Sequence, residues 1–269
     1  MRVLKVFRAA KTHTVKELDV AVLLHGAFAA SYLRADNRFV IPTDTMKNTV
    51  HVLAHEKLGN ETEEFGLVLA RHFLQSYRQC RRVEIEISER SWARLEIHGR
   101  AHPHSFVEHG SARLYCRIDC SRRTTSIESG IRDLLILKST GSGFEGFEKD
   151  RYTTLPETKD RILATKLNAT WSYGKTPSSY TQTNERIIGA MLSVFAKKYS
   201  PSVQVTLYQM AEAALKSAPA IAKISLALPN QHYLLINLAP FGIKNQNELF
   251  VPTTEPHGQI EGTVGRGKG

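Results

Sequence analysis

The chain is 269 residues long, with 36 Lys and Arg against 26 Asp and Glu, a formal net charge of +10 at pH 7, and 42% hydrophobic and 23% charged residues. That length and apolar fraction allow one large or two small folded domains and exclude disorder, collagen and coiled coil. No apolar run approaches the roughly 20 residues of a membrane helix, and the three cysteines, Cys80, Cys116 and Cys120, are too few for a disulfide framework, so a soluble protein of a reducing cytoplasm is expected.

Val3–Phe7 and Leu18–Leu24 predict two strands joined by a polar turn. Thr43 or Asp44, after Pro42, can cap a helix running toward His55. Asn60 with Glu63 resembles a capping box, and Phe65, Leu69, Phe73 and Tyr77 then repeat at helical spacing. Val83–Ile87 and Trp92–Ile97 both alternate, which predicts a second hairpin. From Ala112 the order recurs: strands at Arg113–Ile118 and Ile131–Leu137, helices at Thr158–Thr165, Glu185–Lys197 and Val203–Ser217, then strands at Ile221–Leu228 and Tyr233–Leu238. Gly174–Thr183 reads as a loop and Thr254–Gly269 as an irregular tail. What repeats is element order and not sequence, as in a tandem of similar domains, here 1–111 and 112–269. Antiparallel strands with helices on one face make an α+β fold.

The positive balance favours anionic partners in general. The pairs Arg81-Arg82 and Arg122-Arg123 are short and lack interleaved aromatics, which argues against nucleic acid and leaves a small anionic metabolite. His102 and His104 project to one side of a strand, with His98 and His109 nearby, but Pro103 intervenes and no third ligand sits at a closed spacing. Cys116 and Cys120 match no zinc or redox spacing and read as buried thiols. Gly141-Ser142-Gly143 lacks the further glycine and helix of a dinucleotide loop, and neither a Walker sequence nor a Gly-x-Ser-x-Gly elbow occurs. These missing signatures favour chemistry without an organic cofactor, or no chemistry at all.

The run Leu137-Lys138-Ser139-Thr140-Gly141-Ser142-Gly143-Phe144-Glu145-Gly146-Phe147, continuing through Tyr152-Thr153-Thr154-Leu155-Pro156 to Asp160-Arg161, resembles the signature of urate oxidases. Pro42 to Thr49, His102-Pro103-His104-Ser105-Phe106, Ser200-Pro201-Ser202-Val203-Gln204, Leu228-Pro229-Asn230-Gln231-His232-Tyr233 and Gly262-Thr263-Val264 follow in the family's order, so the resemblance runs from about Arg2 to Arg266. It implies tandem T-fold domains in a tunnel-forming homotetramer with active sites at subunit interfaces. It also implies oxidation of urate by O2 and water to 5-hydroxyisourate and H2O2 without metal or flavin.

By the same resemblance Phe144 stacks on the purine, Arg161 grips an oxygen and ring nitrogen, and Gln204 pairs with the opposite edge beside the Val203 N–H. Thr43, as a proton-relay hydroxyl, and Asp44 reach in from a neighbouring subunit, Asn230 holds oxygen and then the attacking water, and His232 belongs to the relay. The family's relay lysine lies upstream of the first strand and has no counterpart after Met1; Lys5 matches a later lysine, and Lys11 and Lys16 sit in the predicted turn. A catalytically impaired urate-binding oligomer is the alternative this suggests. The ending Gly265-Arg266-Gly267-Lys268-Gly269 carries no Ser-Lys-Leu address, in keeping with the cytoplasm.

Overall fold

The computed structural model describes residues 1–253 and 257–267. Its contacts divide the chain into two compact units, Met1–Ile131 with Thr170–Asn184, and Arg132–Ala169 with Glu185–Gly269. A break after residue 111 in chain order would fall within a continuous strand, β4 (Arg100–Ser121).

In the first unit β1 (Arg2–Phe7), β2 (Thr14–Gly26), β3 (Cys80–Ile97) and β4 lie side by side in that order, all antiparallel. The register places Val3 opposite Leu18, Val20 opposite Ile87 and Ile85 opposite Ile118, so alternate residues supply one apolar face. A short helix α1 (Ala29–Arg34) follows β2, then α2 (Thr43–Lys57) and α3 (Thr62–Ser76). Phe65, Leu69 and Phe73 of α3 are fully buried and join Val20, Ile85, Ile87 and Ile118 in one core. Gly66 sets the approach of that helix: a Cβ there would lie 2.4 Å from Ile118 Cδ1. All three cysteines are buried free thiols, and burial holds the Cys116 thiol far above its ordinary pKa.

The division falls within β5 (Thr125–Lys138), β6 (Leu163–Tyr173) and α4 (Tyr180–Lys197). In the second unit α5 (Val203–Ser217) packs on β7 (Ile221–Gln231), and β8 (Tyr233–Leu235) pairs with β9 (Phe250–Pro252). The last strand, β10 (Gln259–Gly265), pairs antiparallel with β7, Ile224 opposite Val264, and α5 packs on it too.

Several sequence expectations change. The second hairpin turns at His98-Gly99, both at positive φ, while Val83–Ile87 and Trp92–Ile97 belong to the single strand β3. Ser88, Glu89 and Arg90 stay paired with Tyr115, Leu114 and Arg113, and the register shifts between Arg90 and Trp92 and again between Arg94 and Glu96 without ending the strand. Thr158–Thr165 is not helical: Thr158 bridges Phe144, and β6 begins at Leu163 with Leu163, Leu167, Ala169 and Trp171 buried in alternation. Helix α4 starts at Tyr180, inside the expected loop, and β10 lies inside the expected irregular tail, of which residues 254–256 and 268–269 are outside the described residues.

Neither expected N-cap operates. The cap of α2 is Pro42 and that of α3 is Glu61, without side-chain capping bonds, so Thr43 and Asp44 are helical residues of the first turn. Glu63 turns inward instead. Its Oε1 accepts from Ser129 Oγ at 2.5 Å and Asn184 Nδ2 at 2.8 Å, and the Tyr173 hydroxyl donates to Ser129 Oγ at 2.8 Å and Asn184 Oδ1 at 3.0 Å. Burial raises the Glu63 pKa, more than the Ser129 and Asn184 hydrogen bonds lower it, and pushes the Tyr173 phenol well above its ordinary value.

Candidate active site

Of the expected site residues in the second unit, Phe144, Arg161, Val203 and Gln204 stand on three short segments, 141–144, 158–161 and 200–204. Backbone bonds join them: Gly143 N–H donates to Ser200 O at 2.8 Å, Ser200 N–H to Gly141 O at 2.9 Å, and Arg161 N–H to Ser142 O at 2.8 Å. Phe144 and Thr158 exchange two more, at 2.7 and 3.1 Å. This closeness requires glycine at position 143, where a Cβ would meet Tyr199 Oη at 2.2 Å and Thr158 O at 2.9 Å.

The result sets Arg161 against Phe144, the guanidinium carbon 5.4 Å from the ring centroid. Phe147 stacks on Phe144 with centroids 4.7 Å apart and planes 11° from parallel. Burial lowers the Arg161 pKa below its ordinary value, and its buried Nε has no hydrogen-bond partner among the described residues. Guanidinium basicity is high enough that the group stays charged. A half-buried cation with an unmet donor beside an aromatic ring has the chemistry to receive a planar anion.

Helix α5 opens beside these segments. Ser202 caps it by accepting from Val205 N–H at 3.2 Å, and the first N–H groups, those of Val203 and Gln204 among them, have no acceptor within the helix. Val203 is buried and Gln204 exposed. Asn230 is the penultimate residue of β7, its N–H bonded to Gly258 O at 2.8 Å; His232 is exposed, its carbonyl accepting from Thr253 N–H and Oγ1. Among the described residues no hydrogen bond, ion pair or ring contact joins Asn230 or His232 to Phe144 or Arg161.

Thr43 and Asp44 belong to the first unit and are exposed on the first turn of α2. The Asp44 carboxylate accepts from Asn48 Nδ2 at 3.0 Å and lies 3.6 Å from Lys47 Nζ. Two lysines already have structural work. Lys5 Nζ donates to the carbonyls of Ala54, His55 and Leu58 at the end of α2, and Lys16, on β2 and not in the turn, meets Asn60 O, Thr62 Oγ1 and Glu89.

A family model for uricase matches residues 1–119 and 127–261. The uricase of Dictyostelium discoideum is 39% identical over 269 residues, 99% of this chain and 94% of that one, and the uricase of Oryctolagus cuniculus is 39% identical over 99% of this chain and 91% of that one. The crystal structure of uricase from Arthrobacter globiformis superposes with a TM-score of 0.93 at 37% identity, covering all of this chain and 92% of that one. The chain belongs to the uricase family.

The α+β architecture described above is thus the uricase T-fold. Sequence reading passed over the residues that build its loop. Tyr199 acts through a contact across 40 residues of chain and lies outside every motif, while Phe147, Asp160 and Ser200 fall inside motifs that carry no sign of the stack or of the long-range bonds they make.

Proposed function

We propose that the protein is a cofactor-independent urate oxidase, converting urate, O2 and water to 5-hydroxyisourate and H2O2 in purine degradation. The observation that carries this reading is the pairing of Arg161 with Phe144, an uncompensated cation against an aromatic ring, in a chain of the uricase family. Phe144 supplies stacking area, Arg161 a planar charged donor, and Val203 N–H with the Gln204 carboxamide a donor and acceptor for the opposite edge of the purine.

Deprotonation of the urate monoanion gives an electron-rich dianion, which passes two electrons to O2; water then adds at C5. Thr43, whose hydroxyl is not used as a helix cap, and His232 are the proposed proton relay, with Asp44 as a ligand contact and Asn230 holding first oxygen and then water. Because Thr43 and Asp44 are assigned to a site shared between subunits, the proposed assembly is a tunnel-forming homotetramer of tandem T-fold domains. Three unpaired buried thiols suit a reducing cytoplasm, and among the described residues no helix is long and apolar enough to cross a membrane.

Loss of urate absorbance in air, with stoichiometric peroxide and no added metal or flavin, is the expected result. An assembled protein that neither binds nor consumes urate would overturn the assignment.

A further inference from the structure

Asp160 sits next to Arg161 in sequence yet forms no ion pair with it. Its Oδ1 accepts from Thr140 Oγ1 and from Gly141 N–H, both at 2.9 Å, and Oδ2 accepts from Thr140 Oγ1 at 3.0 Å. The same corner is drawn in by Thr158 Oγ1, which donates to Asp160 O at 2.7 Å, and by Tyr199 Oη, which donates to Lys159 O at 2.9 Å. Gly141, one of the two residues the carboxylate holds, has φ +74 and accepts from Ser200 N–H on the way to α5. The carboxylate therefore lies at the junction of all three segments that present Phe144, Arg161 and Val203.

An acidic residue adjacent to a half-buried guanidinium is its natural competitor for an anionic ligand, because a carboxylate and a urate edge make the same bidentate contact. Here the hydroxyl of Thr140 and the amide of Gly141 occupy that carboxylate. We infer that Asp160 is a positioning residue with two effects: it clasps Thr140-Gly141 to close the Phe144 loop, and, being held there, it leaves the Arg161 guanidinium without an internal counter-ion. The inference rests on the urate-binding role of Arg161 proposed above.

The test separates clasp from decoy. In Thr140→Val the isosteric side chain keeps the loop's volume but releases Oδ2, leaving the charged carboxylate of the residue next to Arg161 held by Gly141 N–H alone. KM and the urate dissociation constant should rise about tenfold, the scale of one charge-assisted hydrogen bond, with kcat changed less. Adding Asp160→Asn in the same chain removes the competing charge while the amide oxygen still accepts from Gly141 N–H, so urate affinity should recover most of that loss. A double variant as weak as Thr140→Val, or weaker, would overturn the counter-ion effect, and unchanged affinity in both Thr140→Val and Asp160→Asn would overturn the whole inference. Thermal melting of each variant confirms folding; should Asp160→Asn alone fail to fold, Thr140→Val and the double variant still decide. Failure of the wild-type protein to bind urate would instead sink the functional reading, so the two failures are distinct.

Discussion

Arg161 and Glu63 are both ionisable groups taken out of water, and they are treated in opposite ways. Arg161 is left with an unmet donor, so Arg161→Ala should weaken urate binding at least about tenfold while leaving the melting temperature near that of the wild type; equal affinity in equilibrium dialysis would remove it from the site. Glu63 is 3% exposed, and its Oε1 accepts from two neutral partners, Ser129 and Asn184. Its folded pKa lies above the unfolded one, so the native state binds the extra proton, and stability falls as pH rises from the unfolded value near 4.5 through the folded value. Glu63→Gln keeps an oxygen acceptor without the charge. It should raise the melting temperature at pH 7 by a few degrees, about 1 kcal/mol, with the gain vanishing below about pH 4; a lower melting temperature at pH 7 would show that the ionised form is needed. Neither role was legible locally. Glu63 looks like a capping-box partner because the spacing is right, and only the burial of Ser129 and Asn184 beside it draws it inward.

Elements were easier to read than residues. The bounds of α5 coincide with those expected from the sequence, and Ser202 is a true N-cap, whereas α2 and α3 form where cap candidates point to them, α3 with apolar spacing as well, yet begin without side-chain caps. Strand β6 was missed although Leu163, Leu167, Ala169 and Trp171 alternate, since Thr158–Thr165 carries helix-compatible residues and the bridge to Phe144 lies outside any local window. One element owes its end to a distant residue: Lys5 of β1 gathers three carbonyls at the C-terminus of α2, whose other end bears Thr43 and Asp44. Lys5→Met should cost about 1–3 kcal/mol and speed amide exchange in the last turn of α2, Leu58 N–H included, before the rest of the helix. Uniform protection along α2 in that variant would contradict the anchoring role.

At the scale of the molecule, the α+β class was readable from hydrophobic periodicity, and the family from motifs spread over nearly the whole chain, but the division into units follows contacts that no composition shift marks. The proposed sharing of sites between subunits makes activity a property of the assembly. Dilution or mild denaturant that yields a sedimenting monomer should abolish turnover, and a fully active monomer would refute a site shared between chains.

Cys80, Cys116 and Cys120 all lie in the first unit, and all are shut away from solvent. A disulfide dye of the Ellman type can reach Cys80 and Cys116 only when that part of the chain opens, and their raised pKa values slow the reaction further. The wild-type protein thus carries its own clock. The rate at which its thiols colour the dye, followed with and without urate, times the breathing of one unit separately from the other, with no label introduced.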